Sequence, residues 1–149
     1  MKETIKPQGR LRIVVTDEHG NVKQDIETPN VVTNAGLAYI TGIMTGTGSA
    51  MSHMAIGSDN TAAAATDTAL GSELGRVSLT SDNQATTTVT NDSIEYVATF
   101  PAGTGTGSVV EAGILSASSG GTMLCRTVFS TVTKGASDSM TITWTVSLS

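Results

Sequence analysis

The sequence predicts an all-β fold, an antiparallel β-sandwich or jelly roll with one short helix near residues 34–45. Three observations carry this. The last strand, Ser139 to Ser149, alternates strictly: Met140, Ile142, Trp144, Val146 and Leu148 on one side, Thr141, Thr143, Thr145 and Ser147 on the other. The composition is that of strands and turns, rich in Thr and Ser, with sixteen glycines and only 14% charged residues. Short apolar runs recur between turn-forming clusters, enough for seven or eight strands.

Each element follows in order. Leu11–Thr16 reads as a strand, Asp17–Asn21 as a hairpin turn, and Val22–Thr28 as the returning strand, stopped by Pro29. From Asn34 to Met44 the pattern changes: Leu37, Ile40 and Met44 fall at helical spacing, with Asn34 as the expected N-cap. Glycines weaken this helix, so packing must hold it. Met51–Gly57 is a short strand, Ser58–Asp67 a long loop, and Thr66–Leu70 at most one turn. A strand begins at Arg76 and ends at Leu79, and Ser81–Thr86 reads as polar turn. Ile94, Tyr96, Ala98 and Phe100 alternate along the next strand, which the glycine-rich run 103–107 closes. Val109–Leu115, a turn at 118–121, Met123–Val132 and a turn at 134–137 complete the series. The expected organisation is an extended arm, residues 1–9, followed by a single domain, residues 10–149.

At 149 residues, one domain of ordinary size has a core built from aliphatic residues and Met, because only 3% of residues are aromatic. Cys125 is the single cysteine, which excludes an intrachain disulfide; its neighbours Leu124 and Val128 predict a buried thiol. Met44, Met51 and Met54 are expected as core filler. No signal-peptide pattern or apolar run of about 18 residues occurs, so folding in a cytoplasm and no membrane partner are the expectations.

The net charge of −5 argues against nucleic acid as partner. The bases are unevenly spread: Lys2, Lys6, Arg10, Arg12 and Lys23 precede position 24. With the rigid Pro7, this leading segment is a candidate contact for an acidic neighbour. A second candidate contact is the polar side of the last strand, Thr143 and Thr145, since Thr packs without demanding water.

Catalytic patterns are sparse. His19 falls in a turn, His53 in an apolar strand, and no Gly-x-Ser-x-Gly elbow accompanies them. Glu73, Glu95 and Glu111 are the carboxylates available for glycoside chemistry, but Trp144 belongs to the core face, leaving Tyr39 or Tyr96 as the only rings for a sugar. Asp59, Asn60 and Asp67 lack the EF-hand spacing, and Gly103-x-Gly105-x-Gly107 lacks the helix and lysine of a phosphate loop. The expectation is a protein that is not an enzyme, with no catalytic, metal or cofactor site.

Several segments resemble a family of small tailed-bacteriophage virion proteins. They are Pro29–Leu37, Met51–Gly57, Ala62–Ala65, Thr66–Gly71, Glu73–Arg76, Tyr96–Gly103, Glu111–Ile114, Met123–Arg126 and Thr141–Val146, so the likeness spans roughly residues 29–149. The resemblance implies a virion structural protein assembled in the host cytoplasm. Two placements follow from it. One is a capsid cement or decoration protein that clamps neighbouring major capsid subunits and stabilises the expanded head, together with copies of itself as homodimer or homotrimer. The other is a tail, baseplate or fibre component that contacts tail proteins or host-surface carbohydrate. Length and the absence of a heptad or collagen-like shaft favour cement.

Overall fold

A computed structural model describes residues 3–149. The described residues form ten strands and one helix: β1 Gln8–Thr16, β2 Val22–Pro29, β3 Val31–Val32, α1 Asn34–Met44, β4 His53–Gly57, β5 Glu73–Ser78, β6 Ser81–Ala85, β7 Ser93–Phe100, β8 Gly107–Leu115, β9 Met123–Lys134 and β10 Ser139–Ser147. The strands make two five-stranded sheets, ordered β2-β1-β10-β7-β6 and β3-β9-β8-β4-β5. They are called here the β10 sheet and the β8 sheet after their central strands. Every pairing is antiparallel. The fold is the all-β sandwich the sequence predicts.

The alternation in β10 dictates where the core sits. Met140, Ile142, Trp144 and Val146 are buried, and register brings Val15, Ile13 and Leu11 of β1 opposite the first three. On the other flank Phe100, Ala98 and Tyr96 of β7 meet the same three residues. Facing them from the β8 sheet are Met54, Ile56, Val109, Ile114, Leu124 and Cys125, all in one cluster. Each fully buried aliphatic side chain contributes roughly 1.5–3 kcal/mol. The buried Cys125 thiol has its pKa pushed up by desolvation, as expected of a thiol acting as a small apolar group.

The helix spans the residues the spacing predicts, but Thr33 is its N-cap and not Asn34. The Thr33 hydroxyl accepts from the Gly36 N–H and donates to the Met123 carbonyl, so one side chain both caps α1 and ties it to β9. A Cβ on Gly36 would lie 2.2 Å from the Leu124 carbonyl oxygen, so only glycine lets the helix approach this closely. Packing holds this weak helix, as its glycines require.

Five further expectations are corrected. Ser81–Ala85 is an edge strand, not a turn, and β5 starts at Glu73, before Arg76. Gln8 and Gly9 pair with Ser147 and Val146, so the described arm is residues 3–7 only. Met51 and Met54 are core residues, but Met44 is 80% exposed. Lys134 ends β9 fully buried, where its ammonium donates to the Pro101 and Asp138 carbonyls; desolvation lowers its pKa.

Candidate functional site: the two outer faces of the sandwich

The core occupies the inner faces of both sheets, so any site must lie on an outer face, an edge or an end. The outer face of the β8 sheet is covered by the chain itself. Small residues, Ala55 and Gly57 of β4 and Gly113 of β8, leave space that the loop between β4 and β5 fills. Leu70 from this loop packs on Ala55, Leu115 and Met123. Beneath it lies an ion cluster. Arg126 donates from Nε and Nη2 to Glu111 Oε2 at 3.0 and 2.9 Å, and from Nη1 to Asp67 Oδ2 at 2.9 Å. Glu111 also accepts the backbone N–H groups of Asp59, Gly71 and Ser72 at 3.2, 3.0 and 2.8 Å. Glu111 and Arg126 are 0% and 2% exposed. Such burial is tolerated because every charge meets an opposite charge and further hydrogen bonds. The cluster staples the loop to the sheet. Both Glu111 carboxylate oxygens accept hydrogen bonds from within the chain.

The loop aspartates are similarly occupied. Asp59 accepts from the Thr61 N–H and hydroxyl, and those bonds hold its carboxyl below the usual range. Asp67 accepts from Arg126 and from the Ala64 N–H. No group of three or more His, Cys, Asp or Glu side chains arranged to hold a metal occurs among the described residues.

The outer face of the β10 sheet is bare. Its register places Arg10 opposite Thr145 and Arg12 opposite Thr143, and then Thr143 and Thr145 opposite Val97 and Glu95. Four of the sequence-predicted contact residues, Arg10, Arg12, Thr143 and Thr145, thus line one open groove of about 510 Å³ with Glu27, Thr87 and Ser149. The arginines are not free to bind a partner's acids. Arg12 forks onto Asp25 at 2.9 and 2.6 Å, and Arg10 pairs with Glu27. The Arg12 bonds lower the Asp25 carboxyl's pKa. What remains on this face is hydroxyl and methyl surface with the Glu95 carboxylate beside Thr145, and Thr99 and Thr141 are hydrogen-bonded across strands at 3.0 Å.

The remaining predicted residues scatter. Lys2 lies outside the described residues. Lys6 is exposed and Pro7 half-buried, and both border a groove with Asn30, Val31 and Leu37 on their own chain. His19 is exposed in its turn. His53 sits between the hydroxyls of Ser52 (2.7 Å) and Ser78 (3.3 Å). Glu73 pairs with Arg76. Tyr96 is 6% exposed in the core, while Tyr39 is half-buried and accepts the Met51 N–H with its hydroxyl. Phe100 and Trp144 are buried, and Phe129 is half-buried like Tyr39.

Two features were not read from the sequence. One is the Glu111–Arg126–Asp67 cluster, whose members are far apart in sequence and give no local pattern. The other is Asp92, which accepts from the Thr87, Thr88 and Val89 N–H groups and from the Thr87 and Ser149 hydroxyls. These bonds, the Ser149 hydroxyl first, depress its pKa and fasten the end of the chain beside the bare face. No helix among the described residues is long and apolar enough to cross a membrane. No protein-family model, curated protein or solved structure matches the chain.

Proposed function

We propose that the protein is a tailed-phage virion structural protein of the capsid cement type, which clamps major capsid subunits through the bare face of its β10 sheet. The observation that carries this reading is the contrast between the faces. The chain seals the β8 sheet with its own loop and leaves a five-stranded hydroxyl-rich face open. That face suits docking. Thr and Val are stiff at χ1 and lose little freedom on being covered, and the arginines arrive already neutralised by Glu27 and Asp25. Cement needs no chemistry: a protein that binds only the expanded shell stabilises it by mass action, over many copies burying on the order of 1,000 Å² or more each. The alternative, a tail, baseplate or fibre component, uses the same face on another partner. Its carbohydrate-binding form would rest on the half-buried ring of Tyr39.

Electron cryomicroscopy of the intact virion tests the placement. Density for this fold on the outer shell, with the Thr143 and Thr145 face against capsid subunits, is the expected result. Density confined to the tail or baseplate would overturn the cement reading.

A further inference from the structure

The open face of the β10 sheet has a charge layout that the leading bases of the sequence conceal. Register places five charged side chains on it: Arg10 and Arg12 on β1, Asp25 and Glu27 on β2, and Glu95 on β7. Asp25 and Glu27 hold the two arginines. Glu95 has no such partner. It lies half-buried, opposite Thr145 on one side and Asn83 on the other, and its carboxylate makes no hydrogen bond or ion pair among the described residues. Exchange of Arg10 from Glu27 to Glu95 would only move the deficit, because the face carries three carboxylates and two guanidiniums. One negative charge is left over however the pairs are drawn.

We propose that the protein docking on this face presents a lysine or arginine to Glu95, an inference that rests on the reading of the β10 face as the contact surface. In the free chain water solvates the Glu95 carboxylate. A partner that covers the central strands strips that water away, and an ionised carboxylate is strongly disfavoured there unless an opposite charge and hydrogen bonds replace it. The leading bases of the sequence pointed to an acidic neighbour. Register reverses the sign: Arg10 and Arg12 enter the contact with their charges already answered, and the charge left to answer belongs to Glu95. Its surroundings suit a base. Thr145 and Asn83 flank the carboxylate with a hydroxyl and an amide, both able to accept from an incoming N–H. Thr143 and Val97, opposite each other in the next row, offer methyl surface to the alkyl stem of a lysine or arginine.

Co-sedimentation of the full chain with expanded shells lacking this protein, over a range of salt concentrations, tests it. Glu95→Gln keeps the shape and removes the charge. It should weaken shell binding at least about tenfold and flatten the decline of binding with salt. Asp82→Asn makes the same change in net charge on the neighbouring strand, opposite Tyr96 and therefore turned away from this face, and should bind like wild type. Glu95→Gln binding as tightly as wild type, or Asp82→Asn weakening it equally, would overturn the proposal. Circular dichroism checks folding. Should Glu95→Gln fail to fold, the wild type still answers through carbodiimide labelling of carboxylates, read by mass spectrometry. A partner's base should shield Glu95 on the shell, whereas an unanswered carboxylate keeps its water and stays as reactive as in the free chain; equal labelling in both states would overturn the proposal. Loss of binding in Thr143→Lys, Thr145→Lys with none in Glu95→Gln would keep the face and overturn the base; no loss in either would overturn both.

Discussion

The two outer faces of this sandwich are built from the same kind of strand but finished in opposite ways. On the β8 sheet, small residues make room for a loop, and a buried glutamate fixes the loop by accepting three backbone N–H groups and an arginine. On the β10 sheet, side chains stay at full size, charges pair at the surface, and the central strands lie open except at the end of β10, where Thr87 reaches the Ser147 hydroxyl. Ion pairs occur on both faces, but their weight differs. A buried pair, once broken, leaves an uncompensated charge; an exposed pair exchanges its partner for water. One face is therefore committed to stability, and the other is available.

Substitutions should separate the faces. Glu111→Ala strips Arg126 of a partner and orphans three N–H groups, so chemical denaturation should show a loss of about 3–5 kcal/mol. A loss under about 1 kcal/mol would mean that the loop does not depend on its staple. Gly57→Ala tests the space beneath the loop without removing a charge. A Cβ there would lie 2.3 Å from Glu111 Oε1 and 2.4 Å from the Ser72 carbonyl oxygen, and the backbone atom cannot move aside cheaply. A loss of about 1–3 kcal/mol is expected, with faster amide exchange at Gly71 and Ser72.

How much of this was legible in the sequence follows from the range of the interactions. The β10 alternation and the bounds of α1 were readable because their periodicity is local. The edge strand β6 was not: Ser-Asp-Asn-Gln-Ala has no buried face to impose alternation, and only pairing with β7 makes it a strand. Thr33 was missed as the cap because its advantage over Asn34 comes from Met123, ninety positions on. The loop staple was invisible for the same reason, since Glu111 meets Gly71 and Ser72 through folding alone. Arg10, Arg12, Thr143 and Thr145 were each singled out from local cues. That they share one groove is a property of register, which neither strand announces by itself.

On the bare face the effects should be small. Arg12→Ala removes an exposed pair that solvent screens, so its effect on overall stability should be slight. Its signature should be clearer against pH. Because Arg12 holds the Asp25 carboxyl below its ordinary pKa, the unfolded chain takes up that proton first as pH falls. The contribution of the pair is therefore fully present above about pH 4 and disappears as pH drops through the folded pKa. Thermal melts between about pH 5 and 2 should show a shallower acid decline in Arg12→Ala than in wild type. Parallel curves would indicate that the pair has no stabilising role.

A small effect on folding is also expected of the substitution that bears most directly on the central claim, that the open face of the β10 sheet is the contact surface. The double variant Thr143→Lys, Thr145→Lys adds two charges to the bare face and touches no core residue; each lysine faces Arg12 or Arg10 across the strand pair, so a loss of no more than about 1 kcal/mol per site is expected. Co-sedimentation with expanded capsid shells lacking this protein is the measurement. The account predicts a folded variant that no longer decorates the shell; a folded variant that binds as tightly as wild type would contradict it.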